Sequence, residues 1–341
     1  MCARIVFLGD TLLGGDAQKT LDRRGYAYAV EGIAPLLADA DLVVANLEGP
    51  VTTLDQPAAK RDIGRRRWWY RALPESLAAL ADAGIRLVSL ANNHVFDYGP
   101  AGLRDTIEAL DAAGIAHCGA APDELSARAP ARVTLGGCRI AFVSRMQRYR
   151  MYEQEGLYAR GEQPGTALLD PVTAHDDLAS VGDADLRVAL VHWGRNYQPV
   201  TPHQRGLASA LMGSGADIVV GHHPHVPQPV TLGGSGLVLY SLGNGVFGTR
   251  GRFAERGCAP YGLVATVEVQ RAGVAAVELR VIEVDNRRLA YRPVPASGPD
   301  AHRCLRVLLP DGGAWRALGA GHVRATLRSS TAGTTHDDTA Y

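Results

Sequence analysis

His223-Pro224-His225 offers two imidazoles directly after an apolar run at residues 216–220. Neutral imidazole is a borderline-soft nitrogen donor for a divalent transition ion, and a strand that orders the backbone beforehand lowers the entropy cost of gathering ligands. A lone histidine more often titrates, caps or packs than it ligates. Here four other apolar runs end in polar groups able to bind a metal or work beside one. Residues 4–8 lead into Gly9-Asp10, 41–45 into Asn46-Leu47-Glu48-Gly49, 86–90 into Ala91-Asn92-Asn93-His94, and 186–191 into His192-Trp193-Gly194. One Asp or Asn after a strand reads first as a helix N-cap. Five such endings, carrying Asp, Glu, Asn and several His, are hard to explain by capping and point to a shared site.

These residues meet only if the runs are strands of one mostly parallel arrangement, whose carboxyl ends share an edge. The segments between support that. Residues 31–37 and 74–83 have helical spacing. Residues 100–113 form the clearest helix, started by Pro100, lined on one side by Leu103, Ile107 and Leu110, and stopped by Gly114. Residues 139–143 read as a strand and 203–212 as a helix. This β-α alternation predicts an α/β protein. After residue 230 the texture changes to β-like runs at 237–240, 262–269 and 273–284, expected to extend or pair a second sheet. The reading is one main domain over 1–285, an extension over 286–328 packing on it, and a Ser/Thr-rich, mobile tail over 329–341.

A chain of 341 residues, 46% hydrophobic, can bury a large core, and its 35 Lys plus Arg balance 35 Asp plus Glu. Nothing in that balance asks for nucleic acid or a membrane surface as partner, so specificity must come from local patches. Five scattered cysteines without C-x-x-C spacing argue against a disulfide framework or a zinc ribbon, and are expected to be reduced. No run reaches membrane-spanning length and the start is too short for a signal peptide, so the expected location is the cytoplasm.

The motifs Gly9-Asp10, Asn46-Leu47-Glu48-Gly49-Pro50, Ala91-Asn92-Asn93-His94 with Asp97-Tyr98-Gly99, His192-Trp193-Gly194, Gly221-His222-His223-Pro224-His225-Val226 and Ser241-Leu242-Gly243-Asn244 resemble, in order, those of the CapA-type poly-γ-glutamate capsule biosynthesis proteins. That family is similar to the calcineurin-like metallophosphoesterases. The resemblance spans roughly residues 4–250 and implies a four-layer α/β/β/α sandwich with a one- or two-metal centre (Mn, Zn, Fe or Mg). Carried over, it implies that Asp10 and His225 hold one ion, that Asn93, His192 and His223 hold the other, and that Glu48 bridges them. His94 would stand beside the substrate as general acid. Three departures accompany the likeness. Leu12 stands where the phosphoesterases carry a His, which leaves the ion of Asp10 one ligand short. Asn196 and Gly245 stand where the capsule family would have an acid and a Phe, which hints at a different substrate shape. Relatives of this type generally carry an N-terminal membrane anchor, whereas this chain is expected to be soluble.

The remaining candidates surround the crevice. Lys60 and Arg61, Arg65, Arg66 and Arg67 are equally readable as an anion clamp or a solvated face. Trp68, Trp69 and Tyr70 follow as an aromatic lid or as core. Arg145, with Arg148 and Arg150, faces either the crevice or the surface, and His222 and Asn196 are candidates for substrate contact. Asn46, Asp97 and Asn244 are expected to support the ligands from behind. Together these readings predict a metal-dependent hydrolase or phosphoryl/acyl-transfer enzyme acting on a small or oligomeric anionic substrate. The alternative is a non-catalytic polyglutamate-binding or assembly subunit.

Overall fold

Alternation along the strands builds two sheets that face each other. The computed structural model describes residues 3–60, 67–233, 236–271, 273–309 and 315–327. In the first sheet, Ala3–Leu12, Leu42–Leu47, Ile85–Ser89 and Ala116–Cys118 run parallel as neighbours. On the other side of Ala3–Leu12 the sheet continues antiparallel through Tyr261–Gln270, Gly273–Glu283, His322–Thr326 and Trp315–Gly319. In the second sheet, Cys138–Gln147, Leu186–His192, Ile218–His222 and Gly236–Leu242 are parallel, with the antiparallel strands Ala131–Leu135 and Pro227–Gly233 at its edges.

Three apolar clusters follow from the period of two along each strand. Ile5, Phe7 and Val44 of the first sheet meet Phe142, Leu190 and Val220 of the second in a core between the sheets. The opposite face of the first sheet, with Val6, Leu8 and Ala45, is covered by Leu21, Leu80 and Leu103. These come from the helices Gln18–Arg24, Ser76–Asp82 and Gly99–Ala112. The opposite face of the second sheet, with Val143, Val191 and Val219, is covered by Leu178 and Leu207 of the helices Pro171–Ser180 and Pro202–Gly213. The protein is thus mixed α/β, as its sequence pattern predicts.

The differences from that pattern are local. The helix expected over 31–37 is two pieces, Ala27–Glu31 and Ala34–Leu37, the second opened by Pro35, which has no N–H with which to continue a preceding turn. The late β-like runs divide: Gly236–Leu242 joins the second sheet, while Tyr261–Gln270 and Gly273–Glu283 widen the first. The helix Pro299–Leu308 had no counterpart in the sequence reading, and strand His322–Thr326 pairs with Gly273–Glu283. The tail expected over 329–341 lies outside the described residues. Among the described residues no helix is long and apolar enough to cross a membrane.

Candidate metal centre and adjoining cleft

The parallel strands of both sheets deliver their polar endings to one edge. Asp10 is in register with Asn46, and Asn46 with Ser89, in the first sheet. His192 is in register with His222 in the second. Asp10 reaches this edge through a bulge. Phe7 pairs with Val44 but Asp10 with Asn46, so one extra residue in the first strand turns the Asp10 side chain, which simple alternation after Val6 and Leu8 would send under the helices, to the face of Asn46. Gly9 makes the bulge possible: a Cβ there would come within 1.9 Å of the Gly243 carbonyl oxygen, which accepts the Asp10 N–H at 3.0 Å.

Two donor groups result. Glu48, His192 and His223 form one, Asp10, Glu48 and His225 the other, and within each group the donor atoms lie within 4.8 Å of one another. Glu48 belongs to both. Asn93 adds an amide oxygen 2.7 Å from His192 Nε2. All six side chains are buried. His223 and His225 adopt φ of 96° and 58°, a left-handed conformation that costs a non-glycine residue on the order of 1–3 kcal/mol and persists where the surroundings impose it.

The electrostatics of these groups suit a divalent cation. Burial, with Asp10 nearby, holds the Glu48 carboxyl well above the usual range, and neither of its oxygens has a hydrogen-bond partner among the described residues. Burial likewise pushes His192 well below the ordinary imidazole value and His223 down to about 3. For Asp10, burial pushes upward, but its hydrogen bond and attraction to His225 prevail and hold it below the usual range. A buried carboxylate with no donor costs on the order of several kcal/mol, and a divalent cation among neutral imidazoles, carboxylates and an amide oxygen offsets that cost. The donor set therefore fits a borderline divalent ion.

Neighbouring side chains fix the donors. Asn46 Nδ2 donates to Asp10 Oδ1 at 2.8 Å and lies 3.5 Å from His192 Nδ1, while Asn244 Oδ1 is 3.0 Å from His225 Nδ1. Asn92 donates to the Leu47 carbonyl at 2.7 Å and accepts from His94 N–H at 3.1 Å, tying the His94 turn to the Glu48 loop. His94 Nδ1 is 2.8 Å from Asp97 Oδ2. Asp97 also accepts the Tyr70 N–H at 2.6 Å and pairs with Lys60 at 2.5 Å.

The sequence candidates for substrate contact fare differently. Asn196 is exposed on the wall of a cleft of about 840 Å³ that reaches His225. Trp68, Trp69 and Tyr70 line the same cleft, and the Tyr70 ring lies 4.0 Å from that of His94. Arg65, Arg61 and Arg66 lie outside the described residues, and Arg67 forks onto Glu155 at 2.7 and 2.9 Å. Two expectations are corrected. Arg145 faces neither crevice nor surface: it is 1% exposed, held on the helix-covered face by Asp177 at 2.9 Å and by the Ser144 and Arg128 carbonyls. His222 shares the inward face of Ile218 and Val220, is 2% exposed, and puts Nε2 3.2 Å from the Leu8 carbonyl, so it packs beneath the donors, out of reach of a substrate. Leu12 is fully buried in the helix-side core.

Sequence reasoning missed Tyr149 and Tyr197, whose rings lie 5.5 Å from His223 and 5.7 Å from His225. Both stand in loops without periodicity, so no local pattern marks them. Phe247, 5.2 Å from the His225 ring, supplies an aromatic wall beside the motif position held by Gly245.

The buried imidazoles set a pH dependence for the metal-free protein. The unfolded chain protonates its histidines below about 6.5, whereas the folded chain holds His223 neutral down to about 3. Depressed folded values make this contribution present above about 6.5 and progressively lost below it. Glu48 works the other way: its raised folded value makes its contribution present below about 4.3 and lost as pH rises through that raised value. The diagnostic quantity is thus the difference from His223→Asn, whose melting temperature is expected to fall less than the parent's between about pH 7.5 and 5. Parallel curves in chelator-treated samples would contradict the burial of a neutral His223.

A family model described as bacterial capsule synthesis protein PGA_cap matches residues 4–249. The capsule biosynthesis protein CapA of Bacillus anthracis is 32% identical over 249 residues, covering 71% of this chain and 59% of that protein. The PGA biosynthesis protein CapA of Bacillus subtilis (strain 168) is 30% identical over 250 residues, 71% of this chain and 62% of that one. A probable polyglutamine synthesis accessory protein of Mycobacterium tuberculosis is 33% identical over 213 residues, 60% of this chain and 55% of that one. The matches thus span 55–62% of the length of these relatives.

Proposed function

The chain belongs to the bacterial capsule synthesis family PGA_cap, and from that membership and the shared Glu48 carboxylate we infer a metal-dependent hydrolase or phosphoryl/acyl-transfer enzyme acting on an anionic substrate. The observation that carries this reading is the buried Glu48, without a hydrogen-bond partner among the described residues and common to two donor groups. The facing sheets, each covered by helices, support the four-layer α/β/β/α arrangement of the calcineurin-like metallophosphoesterases. In that reading Asp10, Glu48 and His225 hold one divalent ion, and Glu48, Asn93, His192 and His223 hold the other.

When bound, such ions supply Lewis acidity and a nucleophilic hydroxide near neutral pH. The chain's own groups do the rest. Asp97 accepts from His94 Nδ1 and so leaves Nε2, which has no hydrogen-bond partner among the described residues, as a base that takes a proton from water and, as the imidazolium, gives it to a leaving group. Lys60 and the Tyr70 N–H hold Asp97 in place. The rings of Tyr70, Tyr149, Tyr197 and Phe247 around the histidines limit access of bulk water.

A second reading is favoured by the word accessory in the name of the mycobacterial relative: a non-catalytic subunit that uses the same site to bind polymer. Metal analysis of the purified protein, followed by a screen of phosphomonoesters, phosphodiesters and γ-glutamyl amides with Mn, Zn, Fe and Mg, separates the two. Stoichiometric metal with turnover supports the enzyme. Metal with polymer binding and no turnover supports the subunit, and a parent protein that takes up no divalent ion overturns both uses of the centre.

A further inference from the structure

Most cationic side chains near the cleft are already engaged. Arg71 bonds Asp55 at 3.1 Å and the Leu54 carbonyl, Arg67 forks onto Glu155, and Lys60 pairs with Asp97. Arg252 differs. Its guanidinium carbon lies 5.1 Å from the Trp68 ring and 5.6 Å from the Tyr197 ring, and among the described residues no carboxylate is within ion-pair reach of it. Stacking on aromatic rings uses the faces of a guanidinium and leaves its N–H edge open, the geometry that binds a planar oxyanion by two parallel hydrogen bonds.

The mounting of Arg252 connects back to the donors. Tyr197 adopts φ 58°, donates its N–H to the Pro224 carbonyl at 2.8 Å between the two ligand histidines, and accepts the Arg252 N–H on its hydroxyl at 3.1 Å. The same ring lies 5.6 Å from the Arg252 guanidinium carbon and 5.7 Å from the His225 ring. Asp16 and Glu255 line the cleft as well, so an anion is disfavoured along those stretches of the wall and favoured at Arg252.

We propose that Arg252 anchors an anionic group of the substrate remote from the bond that reacts, a carboxylate or phosphate held edge-on between Trp68 and Tyr197. The site then selects molecules with two anionic groups, one at the donor cluster and one at Arg252, the two positions linked by the Tyr197 ring that neighbours both. This rests on the donor cluster being the reacting centre, but the anchor is measurable without turnover.

The experiment titrates glutarate and, separately, inorganic phosphate onto the metal-loaded full chain, followed by tryptophan fluorescence and calorimetry, in the parent, Arg252→Ala, Arg252→Gln and Arg252→Lys. Arg252→Ala and Arg252→Gln are expected to weaken binding of the preferred probe by about tenfold or more, with metal content and melting temperature unchanged. Arg252→Lys is expected to recover only part of the loss, since an ammonium lacks the planar fork. Loss confined to glutarate identifies a carboxylate tail, and loss confined to phosphate identifies a phosphate tail. Equal affinity of parent and both neutral variants for both probes, or a parent that binds neither, overturns the proposal. A protein that turns over no ester or amide yet shows the Arg252 effect counts against the enzyme reading alone.

Discussion

Glu48→Gln is expected to lose the bound divalent ions while its metal-free form melts no lower than the parent's. Both halves follow from one position. The carboxylate is the member common to the two donor groups, so in the two-ion reading its loss would remove a ligand from each ion together with the negative charge that would offset their mutual repulsion. In the metal-free protein the same carboxylate is fully buried without a hydrogen-bond donor, beside Asp10, which raises it further. A neutral amide of equal size has no charge to bury at any pH and offers N–H groups to Asp10. A ligand present at a hundredfold its dissociation constant stabilises a folded protein by about 2.7 kcal/mol, so the parent's melting temperature should rise with added metal and that of Glu48→Gln should stay flat. Metal analysis and thermal melts with and without chelator measure both. A variant that keeps the parent's metal content would remove Glu48 from the centre.

The second large effect is expected at His94. Its Nδ1 is bound to Asp97, and Asp97 is held by Lys60 and the Tyr70 N–H, while burial lowers His94 below the ordinary imidazole value despite the Asp97 charge. The ring is therefore mostly neutral near pH 7, oriented, and 12% exposed, so Nε2 can take up a proton at the edge of the cleft and give it on from the imidazolium form. Once a turnover assay is in hand, His94→Ala is expected to lower kcat by about 10²–10⁴-fold with metal content intact, because His94 lies in neither donor group. Asp97→Asn should cost less, about 10–100-fold, and should shift the pH profile, since the amide no longer favours the Nδ1–H tautomer. Full turnover in His94→Ala would leave the proton to another donor.

Much of the candidate centre was legible because each candidate donor follows an apolar run, at or just past the end of a strand except for Asp10, which lies inside Ala3–Leu12. Asp10, Glu48, Asn93, His192, His223 and His225 each follow an apolar run, and a run of β-branched and aliphatic residues that ends in a polar group and a glycine marks a strand end without any tertiary knowledge. The inward placement of His222 was legible in principle, since it continues the alternation of Ile218 and Val220. Arg145 was not. Its partner Asp177 lies in the helix Pro171–Ser180, 32 positions along the chain, and nothing local to a strand tells an arginine that a distant helix will supply a carboxylate on its face.

By itself, then, the sequence determined the donor types, their strand-end positions and the α/β alternation, because these depend on residue chemistry and on periods of two and 3.6 along the chain. Only the tertiary structure decided which donors are brought within reach of one another and which way they face. Asp10 and the backbone of His223 meet across 213 positions because two sheets pack face to face. Asp10 turns toward its partners because the first strand gains a residue between Phe7 and the Val44–Asn46 register. The aromatic mounting of Arg252 likewise depends on Trp68, Tyr197 and the segment after Phe247 converging in space. Register, sheet pairing and the meeting of loops are set by long-range packing, whose energetics no window of neighbouring residues contains.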